Sequence, residues 1–205
     1  MKLRYLATVV CLVLTTVAAH AQAQKDQPQP PIGIGLYFNP LVTRVSNSVL
    51  DTGPFAYFGP NSTSAVLYGF DLGGYYDFFH SGNLDAGLDV RESDMHANNA
   101  LLKSFLIGAR VSTHPFTRPF KPYLQASIGL GTTKSPSSTI HVSKVTYAVY
   151  GGVDYTLQRH VDFRVFEIGY GSLTTSSSAT IGGGGDIAIP ASNLLSFSTG
   201  LVFRF

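Results

Sequence analysis

Side chains on a strand point alternately to its two faces, and this chain alternates almost wherever it can be read. From Leu195, every second residue is Leu195, Phe197, Thr199, Leu201, Phe203 and Phe205, with Ser196, Ser198, Gly200, Val202 and Arg204 between them. Leu84 to Arg91 is cleaner still: Leu84, Ala86, Leu88 and Val90 stand against Asp85, Gly87, Asp89 and Arg91. One face is apolar, and the other is glycine, hydroxyl or single charge. A period of two over so much of the length predicts an all-β chain.

The N-terminus has the layout of an export signal. Lys2 and Arg4 precede an apolar run from Tyr5 to Val17, and Ala18-Ala19-His20-Ala21-Gln22-Ala23 supplies an A-x-A cleavage site. Residues 1–23 are expected to be a cleaved signal peptide. The run is too short for the ~20 apolar residues of a spanning helix. The single cysteine, Cys11, lies inside it, so the mature chain is expected to hold its fold without disulfides. Lys2 and Arg4 leave with the leader, so fourteen basic residues become twelve against twelve acidic ones. A net charge near zero argues against a nucleic-acid partner.

Residues 24–31, polar and proline-rich, read as a periplasmic lead-in without a core to bury. Eight strands follow within residues 32–205. They are expected at Ile32 to Leu41, Ser64 to Phe78, Leu84 to Arg91, Ala100 to Ser112, Tyr123 to Thr133, Lys144 to Leu157, Val161 onward, and Leu195 to Phe205. Short turns at 79–83, 113–122 and 158–160 alternate with longer loops at 44–63, 92–99, 134–143 and 173–193. In the seventh strand the phase breaks. Glu167 falls on the apolar side unless a bulge near Val165 or Phe166 shifts the register.

After the leader no window holds a long uninterrupted apolar run. A chain of this kind crosses a bilayer only as a closed barrel, because lipid-exposed backbone must satisfy its hydrogen bonds internally. A secreted β-sandwich would also alternate, but its solvated face would carry more Lys, Glu and Thr than this glycine-dominated one. Tyr76, Tyr155, Phe163, Phe203 and Phe205 fall at the periplasmic ends of outward faces, where an interfacial girdle belongs. The prediction is an eight-stranded antiparallel up-and-down transmembrane β-barrel. The signal, the architecture and the ending Gly200-Leu201-Val202-Phe203-Arg204-Phe205 together resemble the small eight-stranded outer-membrane barrels of the OmpA/OmpX type, the outer membrane protein beta-barrel domain family. The resemblance implies localisation in the bacterial outer membrane, outer-membrane lipid and lipopolysaccharide as surroundings, and barrel-assembly machinery that reads Leu201, Phe203 and Phe205. A monomer is expected.

Asp71, Asp85, Asp89, Arg91, Arg110, Asp154, Asp162, Arg164 and Arg204 are expected to form a charge network in the lumen. An eight-stranded barrel is just wide enough for its own side chains, so the network reads as a polar core ahead of an ion pathway. Some barrels of this size modify lipid A with a His-x-Ser pair and a carboxylate. Here that leaves only the weak set His141, Ser143 and Glu167, so no enzyme is expected. His80, His96, His114, His141 and His160 lack paired ligand spacing, and neither a metal nor a cofactor is expected. The external loops are therefore the expected place for an activity, with Phe55, Tyr57 and Phe58 of the first loop as exposed contact candidates. Three functions compete: a structural or surface-interaction role such as adhesion, a narrow passive pore, and a lipid A-modifying enzyme.

Overall fold

The computed structural model describes residues 33–51, 53–59, 61–113, 119–177, 181 and 190–205. The expected signal peptide and lead-in, and His114, lie outside them. Eight strands, β1 (Ile34–Ser46), β2 (Ser64–Ser81), β3 (Leu84–Ala97), β4 (Ala100–Thr113), β5 (Phe120–Lys134), β6 (Val142–Gln158), β7 (Val161–Leu173) and β8 (Ser192–Arg204), pair antiparallel in sequence order. The last pairs with the first, which closes the barrel and leaves no edge strand.

The pairing fixes the barrel's dimensions. Followed around from Ile34 through Tyr76, Leu88, Ala109, Ala126, Val149, Tyr170 and Leu195, it returns to β1 at Arg44, ten residues above its start. With strands ~4.8 Å apart and ~3.3 Å per residue, this stagger tilts the strands by about 40° and gives a Cα cylinder about 17 Å across. Little room is left inside once side chains enter.

Outward positions are exposed and apolar, as on Ile34, Leu36, Phe38 and Val42 of β1 or Leu124, Ile128 and Leu130 of β5. In a membrane these face lipid. Gly82-Asn83 and Arg159-His160 turn β2 into β3 and β6 into β7 at one end, where β1 begins and β8 finishes. Phe78, Phe79, Phe120, Phe203 and Phe205 crowd outward at that end, with Phe120 edge-on to Tyr155 at 5.1 Å. Short turns and an aromatic girdle mark it as the periplasmic side.

Several strands run further than their alternation suggested. The segment 92–99, expected as a loop, is mostly strand: β3 continues to Ala97, β4 starts at Ala100, and only Asn98 and Asn99 turn the chain. Both take positive φ, 44° and 67°, the geometry of a tight hairpin that asparagine tolerates. β1 likewise continues past Leu41 to Ser46. Pro122, expected in a turn, sits on the outward face of β5 opposite Val153. In β7 the register shifts by one residue between Arg164 and Glu167. Val165 and Phe166 are consequently both exposed, and Glu167 turns into the lumen, 2% exposed.

Candidate functional site

Glycine makes room in the lumen, tyrosine fills it, and arginine stacks on tyrosine. Tyr37, Tyr75, Tyr123 and Tyr150 point inward and are buried. Each ring lies over the glycine directly paired with it, respectively Gly73, Gly35, Gly152 and Gly169, where a Cβ would collide. Arg91 stacks 3.9 Å from the Tyr150 centroid, Arg110 3.7 Å from that of Tyr75, and Arg164 4.6 Å from that of Tyr37. Desolvated contacts of this kind stabilise by about 2 kcal/mol each.

Glu167 ties the arginines together. Arg91 donates to it from both terminal nitrogens at 2.7 Å, the Tyr123 hydroxyl at 2.6 Å, Ser198 at 3.1 Å and Arg164 at 3.3 Å. Arg91 also reaches Asp71 at 3.2 Å, and Ser93 donates to the same carboxylate. Asp154 accepts from Arg164 at 2.9 Å and Arg110 at 3.3 Å, and Arg110 meets Asp77 at 3.5 Å. Asp89 accepts from Tyr37 at 3.0 Å and from Gln125 at 2.6 Å. An isolated ion here would cost several kcal/mol; interleaving offsets that cost with multiple charge-assisted bonds.

All nine charges of the expected network therefore face inward, but they form three groups. Asp71, Arg91, Asp89, Arg164, Asp154 and Arg110 join through Glu167 and Tyr37. Asp162 sits between Arg204 at 2.9 Å and Lys121 at 3.2 Å near the periplasmic end. Asp85 pairs with His80 at 2.7 Å beside the β2–β3 turn. Asp77, Lys121 and Glu167 complete the set. Lys121 lay hidden in a proline-rich segment, although Phe120-Lys121-Pro122-Tyr123 keeps the phase of the strand after it.

Two cavities of about 30 Å³ flank this layer, each with space for about one water. The outer is lined by Asp71, Ser93, Met95, Leu102 and Tyr150 among others, and the inner by Asp77, Arg110, Lys121, Asp154 and Asp162. Tyr37, Asp89, Arg91, Tyr123, Gln125, Arg164 and Glu167 border neither cavity and form a septum between them.

Above the outer cavity the lumen turns apolar. Leu41, Val45, Leu67, Met95, Ala100, Leu102 and Leu173 close it together with Tyr57 from the first loop. Tyr57 is 2% exposed, meets Phe58 edge-on at 5.2 Å and donates to the Leu101 carbonyl at 3.4 Å. Burial holds its phenol pKa above the ordinary tyrosine range. The expected exposed contacts are thus corrected. Tyr57 is a stopper, Phe58 packs against the same cluster, and Phe55 is half-buried, because inward aliphatic residues leave an apolar hole that an aromatic ring fills. A collar of hydroxyl and amide groups lies over it: Ser135 donates to the Ala56 carbonyl, the Ser176 amide to Thr133, and Asn47 to Ser192.

The hydrolytic set does not assemble. Ser143 bonds Thr132 on the outward rim and His141 is exposed. Glu167 pairs with Gly152, nine residues or about 30 Å further down β6, on the lumen side. Among the described residues, no group of three or more His, Asp or Glu is placed to hold a metal. Phe203 and Phe205 of the expected assembly signal face outward, and the Phe205 amide donates to the Ile34 carbonyl at 2.9 Å across the β8–β1 closure.

Residues 9–205 match the family described as outer membrane protein beta-barrel domain. The chain belongs to this family. It is a bacterial outer-membrane β-barrel, and its lipid-facing belt has the outer membrane as its surroundings. Among solved structures the chain is similar to Neisserial surface protein A, with a TM-score of 0.57 at 17% identity over 84% of this chain and 97% of that one. It is also similar to Ail, the attachment invasion locus protein of Yersinia pestis, with a TM-score of 0.48 at 12% identity over 84% and 99%. OprG from Pseudomonas aeruginosa gives 0.44 at 14% identity over 84% and 96%. At these identities the likeness is one of fold. No curated protein sequence matches the chain.

Proposed function

We propose that this outer-membrane barrel is a surface-interaction protein: the lumen is a closed structural core, and contacts with extracellular partners are made by the external loops. The observation that carries this reading is the two-layer closure of the lumen. An ion would have to displace the Arg91–Glu167 septum and then cross an apolar layer stoppered by Tyr57, which disfavours a passive pore. A lipid-modifying role has no support in the positions of His141, Ser143 and Glu167. Exposed apolar side chains on the loops, Leu50 at 37% and Ile140 at 50%, are candidate contact points. Folding through the barrel-assembly machinery and a monomeric state belong to the same reading.

The test is binding of proteoliposomes carrying the full chain to an array of extracellular-matrix proteins and glycans. Specific capture that is lost on Leu50→Asp or Ile140→Asp supports the reading. Capture indistinguishable from empty liposomes across the array removes the surface-interaction role.

A further inference from the structure

The outward face of β1 carries Ile34, Leu36, Phe38, Pro40 and Val42, and then Arg44. Ten residues at ~3.3 Å, tilted by about 40°, climb about 25 Å, the height of the apolar band of an outer-membrane barrel. Arg44 therefore stands where hydrocarbon gives way to headgroups in the outer leaflet. A guanidinium facing lipid at the midplane would cost about 2–4 kcal/mol, falling to near zero at the interface.

Its surroundings resemble a lipid headgroup site. Arg44 is exposed and pairs with Val66 of β2 and Leu195 of β8. Tyr68 and Tyr170 flank it, 63% and 59% exposed, and the Tyr170 hydroxyl donates to the Asn193 amide oxygen at 3.3 Å, leaving the amide N–H groups as donors. Beneath lie Val42, Phe197, Phe38 and Phe70, the last two rings 5.7 Å apart. Among the described residues, the outward positions of the external halves of β1, β2, β7 and β8 include no acid. Around the barrel on β3, outward Glu92 and Asp94 lie lower, in register through Leu72 and Phe70 with Phe38 and Pro40 of β1, and Lys103 is already bound to Asp94 at 2.9 Å.

We propose that Arg44, Tyr68, Tyr170 and Asn193 form a docking site for one phosphorylated glucosamine headgroup of an outer-leaflet glycolipid. Arg44 forks onto a phosphate, the tyrosine hydroxyls and the Asn193 amide bond sugar hydroxyls, and acyl chains lie over Val42, Phe197 and Phe38. The site rests on outer-membrane residence alone and stands or falls independently of the loop-binding role.

The experiment is native mass spectrometry of the folded full chain titrated with bisphosphorylated lipid A. Each variant is first shown to be folded by its gel-mobility shift between boiled and unboiled samples. The expected result is one lipid per barrel, with Arg44→Gln weakening it about tenfold to a hundredfold and Arg44→Lys weakening it less. Lys144→Gln, which removes the same charge from an exposed position on β6, should leave binding unchanged. Equal binding by the parent and Arg44→Gln overturns the proposal. So does equal loss in Lys144→Gln, or equal competition by dephosphorylated lipid A or by phosphatidylglycerol.

Discussion

Replacing Glu167 with glutamine keeps the volume and removes the charge that joins Arg91 to Arg164. Arg91 loses two charge-assisted bonds of 2.7 Å and keeps Asp71 at 3.2 Å; Arg164 keeps Asp154 at 2.9 Å. Removing one partner of a buried pair costs about 3–5 kcal/mol. The surviving carboxylates place Glu167→Gln at the lower end, about 3 kcal/mol. The assay is urea unfolding of the barrel in phosphatidylcholine vesicles, with the folded fraction read from gel mobility. Arg91→Met combined with Glu167→Gln should cost about 2 kcal/mol less than the two single changes summed, because the pair they share is then lost only once. A Glu167→Gln barrel within about 0.5 kcal/mol of the parent, or strict additivity in the double variant, would refute the claim that this ion pair holds the septum.

Three further outcomes follow from packing and closure. A Cβ at Gly152 would meet the Tyr123 hydroxyl at 2.6 Å and the Phe166 carbonyl at 2.7 Å, so Gly152→Ala should destabilise by about 1–3 kcal/mol in the same titration; a neutral result would mean the ring has space to move. The mature chain is expected to lack cysteine, so Ser104→Cys gives a single probe beside the outer cavity. It should resist a membrane-impermeant maleimide applied from outside and react once Tyr57→Ala is added, and equal reactivity with Tyr57 in place would contradict the stopper. Deleting Phe205 should lower the amount of folded barrel recovered from outer membranes, and normal insertion would count against an assembly role for the terminal strand.

The lipid-facing half of the fold was legible because hydrocarbon imposes one rule on most outward positions between the interfaces. Towards the outer interface the rule weakens on β3. Glu92, Asp94 and His96 are outward residues of β3, and their polarity made strand look like loop. The inward face changes character at the same height, where Leu41, Leu67, Met95 and Leu102 replace glycine and charge. A chain that is polar outside and apolar inside reverses the signal by which the lower barrel was read. Glu167 was ambiguous because a one-residue bulge reverses every later side chain, and sequence signals a break in phase better than its direction. Tyr57 reads in the sequence as a loop aromatic; its partner is a hole made by β1, β2, β3, β4 and β7, which no local pattern reports. The lumen tyrosines were visible as inward residues, but their pairing with glycine across the ladder needs the register.

On the proposed function the lumen is a core and not a passage. Planar-bilayer recording of the folded full chain in concentrated KCl tests it most directly. The septum and the Tyr57 layer predict a baseline indistinguishable from bare bilayer over the voltages the membrane tolerates. Reproducible unitary steps carried by the parent protein would contradict the account and return the lumen charges to the role of an ion pathway.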